Sequence, residues 1–127
     1  MKILIDTNRY SDAKRGEPDV AAVLRSAEKI VVPFVVLAEL RYGFLHGSKL
    51  GENERELQRF LTTPRADILF PDDRTTHEYA RLVLQLRRQG TPIPINDVWI
   101  AALAIQHNLT LYARDSHFDH LPQLPRI

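Results

Sequence analysis

The four short apolar runs of this chain constrain its fold more than any other feature. They cover residues 2–5, 30–32, 67–70 and 109–113. None alternates apolar with polar side chains, as a strand with one wet face would. Runs of this kind read as parallel strands covered on both faces. Amphipathic helical patterns lie between them. Residues 18–28 carry Val20, Val23, Leu24 and Ala27 on one stripe, with Pro18 suited to the first turn. Phe34–His46 aligns Val36, Leu37, Leu40 and Phe44, and Leu50–Leu61 aligns Leu50, Leu57, Phe60 and Leu61. Asp73–Gln89 aligns Tyr79, Leu82, Val83 and Leu86 and stops at Gly90. Residues 96–107 form the last long helix. Alternating strands and helices predict a three-layer α/β/α sandwich around a parallel sheet of four to five strands. The fifth strand is expected near residues 124–127, and the crossovers should be right-handed.

A chain of 127 residues suits one domain spanning residues 1–127, and 44% hydrophobic residues suffice for a core. Cysteine is absent, which excludes a disulfide framework and a thiolate metal site. No apolar stretch approaches the roughly 18 residues needed to cross a bilayer. The opening Met-Lys-Ile-Leu-Ile-Asp meets an acid at its sixth residue, unlike a secretory signal. These features predict a cytoplasmic protein with no membrane partner.

Four acids stand where chemistry is expected. Asp6 ends the first apolar run, and ligands of open α/β sheets sit at the carboxyl ends of strands. Capping of the next helix explains Asp6 equally well, although Thr7 or Asn8 offers the same cap. Asp115 follows the fourth run and so belongs to the same sheet edge. Glu39 lies in Pro-Phe-Val-Val-Leu-Ala-Glu-Leu, where helical spacing sets it beside Val35, Val36, Leu40 and Gly43. A carboxylate at the margin of a buried stripe loses hydration, so it calls for a cation or for an arginine such as Arg41. Gly43, one turn on, leaves room beside it. Asp97 opens the last helix, where Asn96 competes for the capping role. Ala101, Ala102 and Ala104 then let that helix approach the sheet closely. Asp119 is either a fifth, outer acid or a solvated turn residue.

Carboxylates gathered at one edge repel one another, and a cation relieves that repulsion. Oxygen donors without Cys or an obligatory His select Mg²⁺ or Mn²⁺ over zinc. Of 16 acids, setting these four aside leaves twelve against 17 Lys and Arg, a balance suited to a polyanion.

The same residues sit in four motifs that follow one another along nearly the whole chain. They are Ile-Asp-Thr-Asn at 5–8, Val-Val-Leu-Ala-Glu-Leu-Arg-Tyr-Gly at 35–43, Ile-Asn-Asp-Val-Trp-Ile-Ala-Ala-Leu-Ala at 95–104 and Ala-Arg-Asp-Ser-His-Phe at 113–118. With them the chain resembles PIN-domain proteins, and specifically the VapC-type toxins of bacterial toxin–antitoxin pairs. The resemblance implies an endoribonuclease dependent on Mg²⁺ or Mn²⁺, with RNA as substrate. It puts the acidic ligands on Asp6, Glu39, Asp97 and Asp115, with Thr7 and Asn8 just outside them. It also implies a homodimer and inhibition by a small cognate antitoxin. Two positions depart from the pattern: Arg9 stands where relatives often carry an apolar residue, and Ala113 where many carry Thr.

Other folds with an acidic pocket fit less well. A receiver domain needs a late lysine, whereas Lys2, Lys14, Lys29 and Lys49 all lie in the first half. A phosphatase of the haloacid-dehalogenase type wants an acid where Asn8 stands. Residues 43–49 fall one residue short of a P-loop and follow a helix rather than a strand. His117 and His120 read as part of a polar turn rather than a zinc site. The rival of a different class is a catalytically silent module of the same fold that binds RNA or protein; retention of all four acids favours the enzyme. Arg9, Lys14, Arg15 and Arg114 are expected to steer RNA. An antitoxin segment is expected across the helices carrying Tyr42, Phe44, Leu45, Leu50 and Phe60.

Overall fold

A computed structural model describes residues 1–127. Its sheet has four parallel strands: β1 (Lys2–Ile5), β2 (Lys29–Pro33), β3 (Ala66–Leu69) and β4 (Thr110–Tyr112), in the order β3-β2-β1-β4. In the central strand, Ile3 pairs with Ile30 on one side and with Thr110 on the other. Ile3, Leu4 and Ile5 are fully buried, as a strand covered on both faces must be. Six helices cover the sheet and complete the three layers: α1 (Thr7–Lys14), α2 (Pro18–Ser26), α3 (Phe34–His46), α4 (Leu50–Leu61), α5 (Asp73–Gln89) and α6 (Ile95–Gln106). A turn of 3₁₀ helix, Ser116–His120, follows β4.

The expected double cover fails at the edge strand β3. Asp67 and Ile68 there are exposed, and Phe70 lies beyond the strand, 65% exposed. The expected fifth strand is reduced to one parallel bridge between Leu111 and Arg126. Leu111 N–H donates to the Pro125 carbonyl at 2.8 Å, and Ile127 N–H donates to the Leu111 carbonyl at 3.1 Å. This covers the free edge of β4, which would otherwise offer unpaired backbone groups.

Helix ends follow local chemistry. In α5, Asp72 and Thr75 form a reciprocal capping box, and Gly90 takes φ 73° to end the helix. Helix α2 stops at Ser26, short of the expected span, and Ala27 turns extended while staying buried. Helix α6 starts at Ile95 behind Pro94. Its Ala101, Ala102, Leu103 and Ala104 are all fully buried.

Strand order decides where a site can form. From β1 the chain moves outward to β2 and β3, then returns to place β4 on the other flank of β1. The connections leaving β1 and β4 therefore diverge at their carboxyl ends, the crevice where open α/β sheets bind ligands.

Candidate metal centre

Asp6 and Asp115 leave β1 and β4 at that crevice. Asp6 Oδ1 accepts the Arg9 backbone N–H at 2.8 Å and so caps α1. The same side chain lines the crevice; capping and site are two uses of one residue, and Asn8 does not supply the cap. Asp115 Oδ1 accepts from His117 N–H at 2.9 Å and starts the 3₁₀ turn.

Helix α6 delivers Asp97 from above. Neither Asn96 nor Asp97 caps this helix: Pro94 holds the cap position and no side chain bonds there. The expected competition between the two is thus replaced by a backbone start that leaves Asp97 in the first turn, its carboxyl free to face the crevice. Helix α3 brings Glu39. Arg41 does not neutralise it, being paired through Nε with Glu54 at 3.1 Å. Instead the Thr7 hydroxyl donates to Glu39 Oε1 at 3.2 Å, tying α1 to α3. Gly43 leaves open space one turn on.

All four acids line one cavity of about 140 Å³, together with Thr7 and Asn8. A wider cleft of about 450 Å³ continues past Glu39, Asp97 and Asp115 along the start of α6. Burial pushes the carboxyls of Asp6, Glu39 and Asp97 above their usual range. Repulsion adds to this: Asp97 and Asp6 act on Glu39, and Asp115 acts on Asp97. Glu39 is exposed by surface area, yet enough protein surrounds its carboxyl for lost hydration to be the leading cause.

His117 belongs to this group, contrary to the expectation that it is only part of a polar turn. Its Nδ1 lies 2.8 Å from Asp97 Oδ2 and 3.0 Å from Asp115 Oδ1. Asp97, Asp115 and His117 offer three ligand atoms within 4.8 Å of one another. His120 is exposed and lines neither cavity. Asp119 pairs with Arg126 and takes no part. The crowded, partly dehydrated carboxyls fit a hard divalent cation, which would take oxygen donors and remove their repulsion.

Residues 3–124 match the family model described as PIN domain. The chain belongs to the PIN domain family. Ribonuclease VapC4 of Mycobacterium tuberculosis is 33% identical over 125 residues, covering 97% of this PIN domain chain and 93% of its own. Ribonuclease VapC2 of Rickettsia felis is 32% identical over 129 residues, covering 98% and 95%. The crystal structure of VapBC2 from Rickettsia felis, bound to a DNA fragment from its promoter, superposes with a TM-score of 0.88 at 28% identity, covering all of this chain and 98% of that one.

The basic residues of this PIN domain are placed differently from one another. Lys14 pairs with Glu56 on α4 at 2.9 Å and lines neither acidic cavity. Arg9, Arg15 and Arg114 converge on Asp12, a buried acid of α1 that sequence reasoning passed over. The sequence offers no signal for Asp12, because a single acid in a polar helix looks solvated. Among the residues expected to meet an antitoxin, Tyr42, Leu45 and Leu50 are exposed. Phe44 is core, and Phe60 is half-buried edge-on against Tyr10.

Proposed function

We propose that this chain is a VapC-type endoribonuclease, the toxin of a toxin–antitoxin pair, acting on RNA in the cytoplasm with Mg²⁺ or Mn²⁺. The observation that carries the proposal is the convergence of Asp6, Glu39, Asp97 and Asp115 on one cavity at the switch point of a PIN domain. Asp6, Asp97 and Asp115 would hold the cation, with Glu39 opposite them. When bound, such a cation activates water and offsets charge at the phosphate undergoing displacement. The chain's own residues set the geometry. The Arg9 backbone N–H fixes the Asp6 carboxyl, and the Thr7 hydroxyl fixes one oxygen of Glu39. The other Glu39 oxygen is left to orient the attacking water. His117 steers the carboxyls of Asp97 and Asp115 toward each other. In-line hydrolysis of this type leaves 5′-phosphate and 3′-hydroxyl ends.

The test is cleavage of single-stranded and structured RNA with Mn²⁺ or Mg²⁺. Asp6→Asn and Asp97→Asn should each lower the rate at least about a hundredfold, beyond the tenfold to hundredfold typical of groups that only support a ligand. Unchanged cleavage in both variants, or 2′,3′-cyclic phosphate ends, refutes the proposed centre.

The partner in this proposal is a small cognate antitoxin, and the working unit is a homodimer. The exposed side chains Tyr42 and Leu45 of α3 and Leu50 of α4 are the apolar face we assign to the antitoxin. An antitoxin segment covering this face makes Leu45→Asp weaken co-purification with the antitoxin at least about tenfold, a change of about 1.4 kcal/mol. Leu45 is 70% exposed, so the thermal melt should not move. Full retention of the antitoxin by Leu45→Asp would remove this face from the interface.

A further inference from the structure

Three guanidinium groups share one carboxylate beside the acidic cavity. Arg15 Nη2 lies 2.5 Å from Asp12 Oδ1, while Arg9 Nη1 and Arg114 Nε lie 3.6 and 3.4 Å from Asp12 Oδ2. No second acid lies within ion-pair range of any of the three, so three guanidinium charges face one carboxylate there, with the charges of Arg9 and Arg114 also acting on Asp6. Asp12 is 3% exposed, whereas the side chains of Arg15 and Arg114 are 58% and 48% exposed. Arg9 is held inside by stacking over the Tyr112 ring at 4.2 Å, with its Nε buried and unpartnered. Burying one acid among three arginines would be a poor way to stabilise a helix, since one arginine neutralises it. It is a good way to fix two charged forks at a set place.

That place adjoins the proposed centre through the backbone. The Arg9 backbone N–H binds the Asp6 carboxyl, and the backbone and charge of Arg114 also favour its ionised form. Arg114 is also the residue immediately before Asp115. Arg9 and Arg114, which both act on Asp6, send their side chains to Asp12. Planar guanidinium groups match phosphate oxygens in pairs, which a lysine does not.

We infer that Arg15 and Arg114, positioned by buried Asp12, form a binding site for a phosphate of the RNA backbone next to the one being cut. This rests on the ribonuclease proposal above. Asp12 is a positioning residue, and Arg9 is its inner support. The cluster sets how the strand lies across the cavity and reads no base, since phosphate contacts fix register rather than sequence.

The experiment measures binding of a fluorescein-labelled 12-nucleotide single-stranded RNA by anisotropy across a salt series in EDTA, where nothing is cut. Arg15→Ala and Arg114→Ala should each weaken binding by about three- to tenfold. The double variant should flatten the slope of log affinity against log salt by about 0.7, the value for one lost phosphate contact on a single strand. Asp12→Asn supplies the readout that separates positioning from bulk charge. Removing a negative charge should tighten RNA binding if only net charge matters; the cluster predicts looser binding instead, partly rescued by Asp12→Glu. Thermal melts identify an Asp12 variant that fails to fold, and the two exposed arginines then carry the test alone. Unchanged affinity and slope in the arginine double variant overturns the inference, as does failure of the wild-type protein to bind this RNA. So does a loss confined to antitoxin binding, which would make the cluster a protein contact. Cleavage of the same RNA with Mn²⁺ is scored separately: RNA bound through the arginines but never cut refutes the nuclease proposal and leaves the phosphate site standing.

Discussion

His117 sits 2.8 Å from Asp97 and 3.0 Å from Asp115, close enough to act on both carboxyls at once. Its hydrogen bond to Asp97 opposes the upward push of burial on that carboxyl. With a divalent ion bound, the same ring would either join the ligands or keep the two carboxylates aligned. Both roles predict that His117→Ala weakens Mn²⁺ binding by about tenfold to hundredfold, as loss of a supporting group does. Calorimetric titration of Mn²⁺ into wild type and variant measures this, and equal affinities would reduce His117 to a turn residue. At this scale the sequence is uneven evidence. Asp6 and Asp115 are legible because strand ends have a fixed place in an α/β fold. Glu39 is legible because an acid in an apolar helix demands a reason. His117 is not, because its contact with Asp97 spans 20 residues of chain and depends on how α6 meets β4. Asp12 is hidden for a similar reason: Arg114 reaches it from the far end of the sequence, and no local pattern announces burial of a lone acid.

Helix α6 shows how an element sets the precision of a site. Asp97 occupies its first turn, where an acid also suits the helix dipole, and Ala101 lies one turn on along the same face, fully buried. A methyl group at that position fixes how close the helix lies to its neighbours. Ala101→Leu should cost about 1–3 kcal/mol through overpacking. It should also slow RNA cleavage up to about a hundredfold at a temperature where the protein remains folded, because small displacements of reacting groups are that costly. Parallel denaturation and cleavage assays test this, and a stability loss with normal cleavage would show that Asp97 is placed by something other than this packing. Elements with a strong apolar period, such as α3 and α5, are readable from the sequence to their ends. Elements defined by what they leave uncovered are not. Strand β3 lies at the sheet edge with Asp67 exposed, and helix α1 has a polar composition that disguises its buried Tyr10 and Asp12. Strand order is likewise absent from local pattern, since nothing in residues 110–112 says that they pair with β1 rather than extend beyond β3.

The whole molecule carries its candidate site as a repulsion among carboxyls that a bound cation would relieve. Asp6, Glu39 and Asp97 each hold their protons more tightly in the folded chain than an ordinary carboxyl does, chiefly through burial. Between the unfolded value, about 4, and the raised folded value, the native state binds more protons than the unfolded one. Stability therefore falls as pH rises through that window. The contribution of these groups is fully present below the unfolded value and is lost once pH passes the folded one. A divalent ion that binds only the native chain reverses the loss at neutral pH, by about 2.7 kcal/mol at a hundredfold excess over its dissociation constant. For a chain of this size that is a rise of roughly 10 °C in melting temperature. Melts at pH 7 with EDTA and with Mn²⁺ should differ by about this amount, and the gap should close as pH falls toward 4, where protons and metal compete for the same oxygens. Asp97→Asn should raise the melting temperature in EDTA, because it removes a charge that burial and its neighbours disfavour, and should shrink the response to Mn²⁺. A variant that is destabilised in EDTA yet keeps the full Mn²⁺ response would mean that Asp97 serves the fold and not the ion.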